Sequence, residues 1–285
     1  MPVAENDSFR WLRDRLRRPG RRPDFLLPAL WDCWGYDGPK RRVGRQVAVD
    51  PFAYAAGCLD WIAAHAVVPQ ARTGMSLSRI LGVRRAGDGR VRAGRRLRRA
   101  GDWLTRQTVY GLFVRCTAAW DHDGDGRLRD GRRTENGTFL KAILLLPLLA
   151  RMGITTLYLL PVVSVSRLFR KGELGCPYAA RDFYAIDPGY HDRLLGDDAG
   201  DVTGEFAAFV TAAHRLGMRV ILDIAPRTAA RDNVWVLEHP EWFYWIDARA
   251  ARSFGAPRLA GICLLYTSDA ADDLLCVDLG GRRII

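Results

Sequence analysis

Lysine is almost missing from this basic chain. Its 285 residues hold 43 Lys and Arg against 32 Asp and Glu, a net charge of +11, yet Lys40, Lys141 and Lys171 are the only lysines. The positive charge is therefore nearly all arginine, densest from Arg10 to Arg22 and from Arg84 to Arg99. Clustered arginine can mark nucleic-acid binding. No aromatic interleaving or recognised binding motif accompanies these runs, and a GC-rich coding bias toward Arg codons accounts for them. A basic nucleic-acid-binding protein is thus a rival reading, not the leading one.

Long apolar runs are also absent. None reaches the roughly 18 residues that a membrane span needs; the most apolar stretch, Ala142 to Ala150, is short and contains Pro147. The opening segment has no apolar h-region, so no secretory signal is expected, and Glu5, Asp7 and Asp14 argue against a transit peptide. Cysteine is sparse and scattered. Cys33, Cys58, Cys116 and Cys176 form no CxxC or other metal spacing. Single cysteines of this kind suit a reducing cytoplasm. No internal repeat is present.

What is there divides into regions. Residues 1–105 show helical periodicity broken by Arg/Gly-rich loops. Phe52 to Ala66 reads as an apolar-faced helix entered through Asp50-Pro51. Ala86 to Gly101 reads as an exposed loop or frayed helix. From residue 106 the texture changes. Val109 to Arg115 is a short β-type run; Gly137 to Met152 reads as a helix closed by Gly153. Thr155 to Leu160 reads as a strand buried on both faces. Thr203 to Leu216 follows as a helix capped by Thr203 and closed by Gly217, and Arg219 to Ile224 as a third strand. This alternation builds a parallel sheet with right-handed crossovers.

In such folds, functional groups gather at the carboxyl ends of the strands. Three clusters fall there. The first, after strand one, is DHDGDG from Asp121 to Gly126. Alternate carboxylates with glycine at the turn suit one hard cation such as calcium, or simply an Asp/Gly-rich turn. The helix-loop-helix calcium hand fails, because its twelfth position is Arg132. The second, after strand two, is GCPYAARDFYAIDP, Gly175 to Pro188. Its aromatics offer either a stacking face for a sugar ring or ordinary packing. The third is Asp223, which either takes part in a site or caps the following turn.

The order and spacing of these pieces resemble the α-amylase family of glycoside hydrolases and α-glucan transferases. The family's D-x-N-x-D-G loop is echoed by Asp121, Asp123 and Asp125, with Asp130 near a further acidic ligand but one residue out of step. GITTLYLLPV, Gly153 to Val162, is similar to the second-strand block. G-Y-x-x-x-D-Y is mirrored by Pro177-Tyr178 and Asp182-Phe183. GMRVILDIAP, Gly217 to Pro226, resembles the third-strand motif D-x-x-P-N-H, with Arg227 and Thr228 in place of Asn and His. PRTAARD and EHPEWFYWI, up to Ile246, resemble a branch near maltosyltransferases.

The resemblance implies an α/β fold. It is a truncated (β/α)8 TIM barrel, about its first three β/α units, over 106–262, preceded by a mainly helical N-terminal region. It implies an α-glucan or maltooligosaccharide partner, with Tyr178 stacking on the −1 sugar and Asp182 and Asp223 in the site's network. Arg227 or Arg231 stands in for the missing His contact. Asp121, Asp123, Asp125 and Asp130 are the implied structural calcium ligands. The family's retaining chemistry uses a nucleophilic Asp after strand four, an acid Glu after strand five and a stabilising Asp after strand seven. A non-catalytic glycan-binding relative is a further alternative.

Residues 263–285, CLLYTSDAADDLLCVDLGGRRII, carry a different resemblance. They are similar to the in-frame translation of a transposon-based sequencing-library adapter. CLLYTSDAAD matches the transposon end and read-primer site, and CVDLGGRRII the flow-cell end. Leu274 and Leu275 fall where a sample index sits. Such a segment is excluded from fold reasoning. Without its Arg282, Arg283, Asp269, Asp272, Asp273 and Asp278, the net charge rises from +11 to +13. The natural chain is then expected to end near Ile262, before the catalytic carboxylates, leaving a fragment that binds but does not react.

Overall fold

The computed structural model describes residues 7–17, 25–67, 83–85, 91–93, 105–128, 135–168, 174–196, 201–225 and 229–243. Helix α1, Asp7–Leu16, opens the described chain. Three short strands follow: β1 (Phe25–Pro28), β2 (Lys40–Val43) and β3 (Gln46–Val49). They form an antiparallel sheet in the order β1-β3-β2. Helix α2, Pro51–Ala64, then begins under an Asp50 cap, whose carboxylate accepts the N–H groups of Phe52 and Ala53.

To the expected helices of the N-terminal region the structure adds a small sheet, which lies between α1 and α2 in the chain. The strand signal was hidden by composition. β2 reads KRRV and is largely exposed, so it carries no apolar alternation. Its register comes instead from the Gly44-Arg45 turn, where Gly44 takes φ +58°. Further on, β4 (Val83–Arg85) pairs antiparallel with β5 (Val91–Ala93). Part of the stretch read as a loop or frayed helix is thus a strand; the rest of it lies outside the described residues.

The α/β portion follows the expected order. Strand β6 (Val109–Leu112), short helix α3 (Val114–Thr117), helix α4 (Phe139–Arg151) and strand β7 (Thr156–Leu159) come first. A hairpin of β8 (Val163–Val165) and β9 (Ala180–Ile186) comes next, then helix α5 (Val202–Arg215) and strand β10 (Arg219–Leu222). Helix α6 (Val234–Glu238) is the last α-helix among the described residues. The sheet β10-β7-β6 is parallel throughout, with Leu112, Leu159 and Leu222 in one row. Thr138 caps α4 by accepting the Lys141 N–H.

Three details differ from the sequence reading. The N-cap of α5 is Asp201 rather than Thr203, and its carboxylate is drawn away to Arg15 at 2.8 Å. Strand β7 is not buried on both faces, since Tyr158 is 37% exposed. The β8–β9 hairpin has no counterpart in the expected elements, because Arg, Asp and Tyr interrupt its apolar pattern.

One core joins these parts. Leu12 and Leu16 of α1 and Leu59 and Ile62 of α2 lie in the same buried cluster as Leu157 of β7, Leu146 of α4 and Phe209 of α5. Arginines that seemed a cationic patch serve this docking. Arg13 and Arg17 pair with Asp60 on α2, and Arg15 with Asp201. No described helix is long and apolar enough to cross a membrane.

Candidate functional site at the carboxyl edge of the parallel sheet

Side chains alternate across a strand, so parity sorts the sheet faces. Leu112, Leu157 and Leu159 belong to the core beneath α4 and α5. Gly111 and Tyr158, which share a row with Ile221, stand on the opposite face. Asp223 follows β10 and has the parity of Ile221, so it emerges on that same face as Tyr158. Its backbone N–H donates to the Leu159 carbonyl at 2.8 Å, which fixes it at the carboxyl edge.

The Tyr178 hydroxyl meets Asp223 there, donating to Oδ2 at 2.6 Å. Both residues are half-buried. The hydrogen bond to Asp223, followed by desolvation, pushes the Tyr178 phenol up to about 12. Desolvation, then the Asp223 charge, also raises Tyr158. A carboxylate between two phenols is a polar cluster beside aromatic faces, a combination suited to a polyol ring.

The loop bearing Tyr178 is held by a residue that the sequence reading missed. Arg115, on α3, is only 4% exposed. Its Nη1 donates to the carbonyls of Leu174 at 2.6 Å and Gly175 at 3.3 Å. Its Nη2 lies 3.6 Å from Asp187 Oδ2, and its guanidinium sits 5.2 Å from the centre of the Tyr190 ring. In sequence, Arg115 is lost among forty arginines. Its position directly after a strand, flanked by apolar residues, was the one available signal.

The other expected binding residues divide. Asp182 is turned to its own strand, where Oδ1 accepts the Tyr184 N–H at 2.8 Å. Arg231 is half-buried in the turn before Asn233. Arg227 lies outside the described residues. Asn233, unanticipated, caps α6 and donates to the Ala180 carbonyl at 2.8 Å, docking the segment after β10 onto β9.

The Asp loop folds around its own backbone. Asp121 accepts the N–H groups of Gly124 at 2.6 Å and Gly126 at 2.8 Å. Both glycines take φ +79°, which favours residues without a Cβ. Desolvation raises the Asp121 carboxyl, but the bonds from Gly126 and Gly124 outweigh it and hold the group below its ordinary range. The carboxylates that converge are Asp121, Asp123 and Glu135, with oxygens within 4.8 Å of one another. Asp125 is excluded from this set and instead accepts the Arg127 N–H at 2.8 Å. Asp130 lies outside the described residues. Oxygens sharing one calcium at about 2.3–2.6 Å lie no more than about 5 Å apart, so this trio fits a hard cation. Glu135 was missed because it lies beyond the span of a compact loop; it is buried and accepts the His122 N–H at 3.0 Å.

A parallel α/β sheet with its polar cluster at the carboxyl edge defines the class: α/β folds that gather functional groups at strand ends. No protein-family model matches the chain. Individual relatives do. The chain is 35% identical over 158 residues to the alpha-1,4-glucan:maltose-1-phosphate maltosyltransferase of Mycolicibacterium smegmatis, covering 50% of this chain and 20% of that protein. It is 38% identical over 119 residues to the enzyme of that name from Chlorobaculum tepidum, covering 39% and 17%. A solved alpha-amylase from Lactobacillus plantarum is 32% identical over 50% of this chain and 28% of its own, with a TM-score of 0.39. The resemblance to the α-amylase family, in its maltosyltransferase-like branch, holds for this half of the chain. The chain spans about a fifth of the length of the curated relatives it matches.

Proposed function

We propose that the chain is part of a retaining, α-glucan-active enzyme of the α-amylase family, and that its described residues form the binding side of the −1 subsite. The observation that carries this reading is the Tyr178–Asp223 hydrogen bond of 2.6 Å. Two residues 45 positions apart, each singled out by a separate motif, meet at the sheet edge. In this reading the Tyr178 ring stacks on the sugar while Asp223 orients its hydroxyls. The names of the relatives point to α-1,4-glucan and maltose 1-phosphate as the substrates. A cytoplasmic setting is the one that the scattered single cysteines suit.

The parallel strands are read as the first three β/α units of a (β/α)8 barrel. Calcium, held by Asp121, Asp123 and Glu135, would neutralise their mutual repulsion and stiffen the barrel rim. Retaining chemistry needs a nucleophilic carboxylate and an acid. The resemblance assigns these to later strands, and neither is among the described residues. The 285-residue polypeptide is therefore expected to bind maltooligosaccharides without cleaving or transferring them. Calorimetric titration with maltoheptaose, alongside a maltosyl-release assay, tests both halves. Turnover by the purified chain would sink the second half. No saturable maltoheptaose binding, combined with steeply salt-dependent binding to nucleic acid, would favour the rival reading.

A further inference from the structure

We infer that Arg115 is a positioning residue, clamping the two ends of the 175–187 segment so that Tyr178 between them meets Asp223. Its functional meaning rests on the sugar-site reading above; the clamp itself does not.

The clamp has a fixed base. The Gly137 N–H donates to the Arg115 carbonyl at 3.0 Å. A Cβ on Gly137 would stand 1.7 Å from the Val114 carbonyl oxygen, so the two backbones are in direct contact there. Neighbouring pairing between the Trp120 N–H and the Glu135 carbonyl, at 3.0 Å, closes the same excursion. The far ends are fixed as well. Asp187 accepts the N–H groups of Val165 at 2.9 Å and Gly189 at 2.8 Å, while its own N–H donates to the Val162 carbonyl at 3.0 Å. The Tyr190 hydroxyl donates to the Pro161 carbonyl at 3.1 Å.

Between these anchors the guanidinium is the bridge. One nitrogen takes the Leu174 and Gly175 carbonyls, and another faces Asp187. Tyr178 lies three residues beyond Gly175, so its reach depends on where that carbonyl is held. Arginine presents donors in a planar fork, whereas lysine is a single point charge on a flexible stem. Arg115→Lys keeps the charge opposite Asp187 but cannot span both carbonyls and the carboxylate. A residue that merely neutralised Asp187 would tolerate that change; a clamp would not.

The test uses the full 285-residue chain labelled with 3-fluorotyrosine, which titrates in mildly alkaline solution. The Tyr178 fluorine signal is assigned by its loss in Tyr178→Phe, and circular dichroism monitors the fold. In the wild type, Tyr178 should titrate well above an unperturbed 3-fluorotyrosine. In Arg115→Lys its midpoint should fall by about one pH unit or more, matching Asp223→Asn. Arg115→Ala is included, but Arg115→Lys decides the matter if Arg115→Ala does not fold. A folded Arg115→Lys chain with an unmoved Tyr178 midpoint overturns the proposal, as does a wild type in which Asp223→Asn changes nothing. Maltoheptaose binding is measured in parallel. A lost Tyr178 shift with no binding by any variant, wild type included, supports the clamp and overturns the sugar-site reading alone.

Discussion

Tyr178→Phe removes one oxygen and keeps the ring, so it separates the hydrogen bond from the stacking face. The lost interaction is a phenol donating to Asp223 at 2.6 Å. A hydrogen bond to a charged group contributes about 1.5–3 kcal/mol when sheltered. Both residues here are only half-buried, so water replaces part of it. The cost should be about 1 kcal/mol, which corresponds to roughly 2–4 °C in Tm for a folded unit of this size. Asp223→Asn should cost a similar amount, and the double variant little more than either alone, a coupling of about 1 kcal/mol. Maltoheptaose binding should respond differently. Tyr178→Phe retains the face and should weaken binding about twofold, while Tyr178→Ala should weaken it about fivefold to tenfold. Thermal melts of the four-member cycle and calorimetric titrations check these values. Additive stability effects, or equal sugar affinity in Tyr178→Ala and wild type, would refute the reasoning.

Four further outcomes can be measured. The Tyr178 phenol is raised to about 12, so its contribution is present below the ordinary value of 10.0 and lost as pH climbs through the raised one; Tyr178→Phe should flatten the alkaline melting profile. Buried His191 and Glu205 form a close pair, and the bond to Glu205 raises His191 while desolvation raises Glu205. Both hold protons more tightly when folded, so stability should fall as pH rises from 4.5 past 6.5 and through the raised values. Glu205→Gln should lower stability by about 3–5 kcal/mol in urea titrations and flatten this slope. Gly137→Ala forces a Cβ against the Val114 carbonyl and should cost about 1–3 kcal/mol or more, read by urea denaturation. Calcium should raise the Tm by about 3 °C or more in the wild type but not in Asp121→Asn or Glu135→Gln; equal shifts in all three would remove calcium from the rim.

Much of this was legible along the chain because it is written in local chemistry. Asp50-Pro51 announced α2, Gly153 closes α4, and Gly217 ends α5 at φ +77°. The apolar runs around Leu157 and Val220 marked strands whose parallel pairing the α/β alternation implied. Tyr178, Asp223 and the Asp loop were each found by motif. The small N-terminal sheet was not, since its edge strand is too charged to alternate.

What the sequence by itself determined is the main helices, the three parallel strands and their order, together with Tyr178, Asp223 and the Asp loop as candidates, because caps, glycine turns and apolar periods act over a few residues. Which candidates work together was decided only by the fold. Parity across β10 put Asp223 on the open face with Tyr158, and the hairpin after β7 brought Tyr178 to it. The same packing turned Asp182 away, exchanged Asp125 for Glu135 at the acidic trio, and set Arg115 under the Tyr178 loop. These are contacts between residues far apart in the chain. Their energies depend on distance in space, which no local pattern encodes.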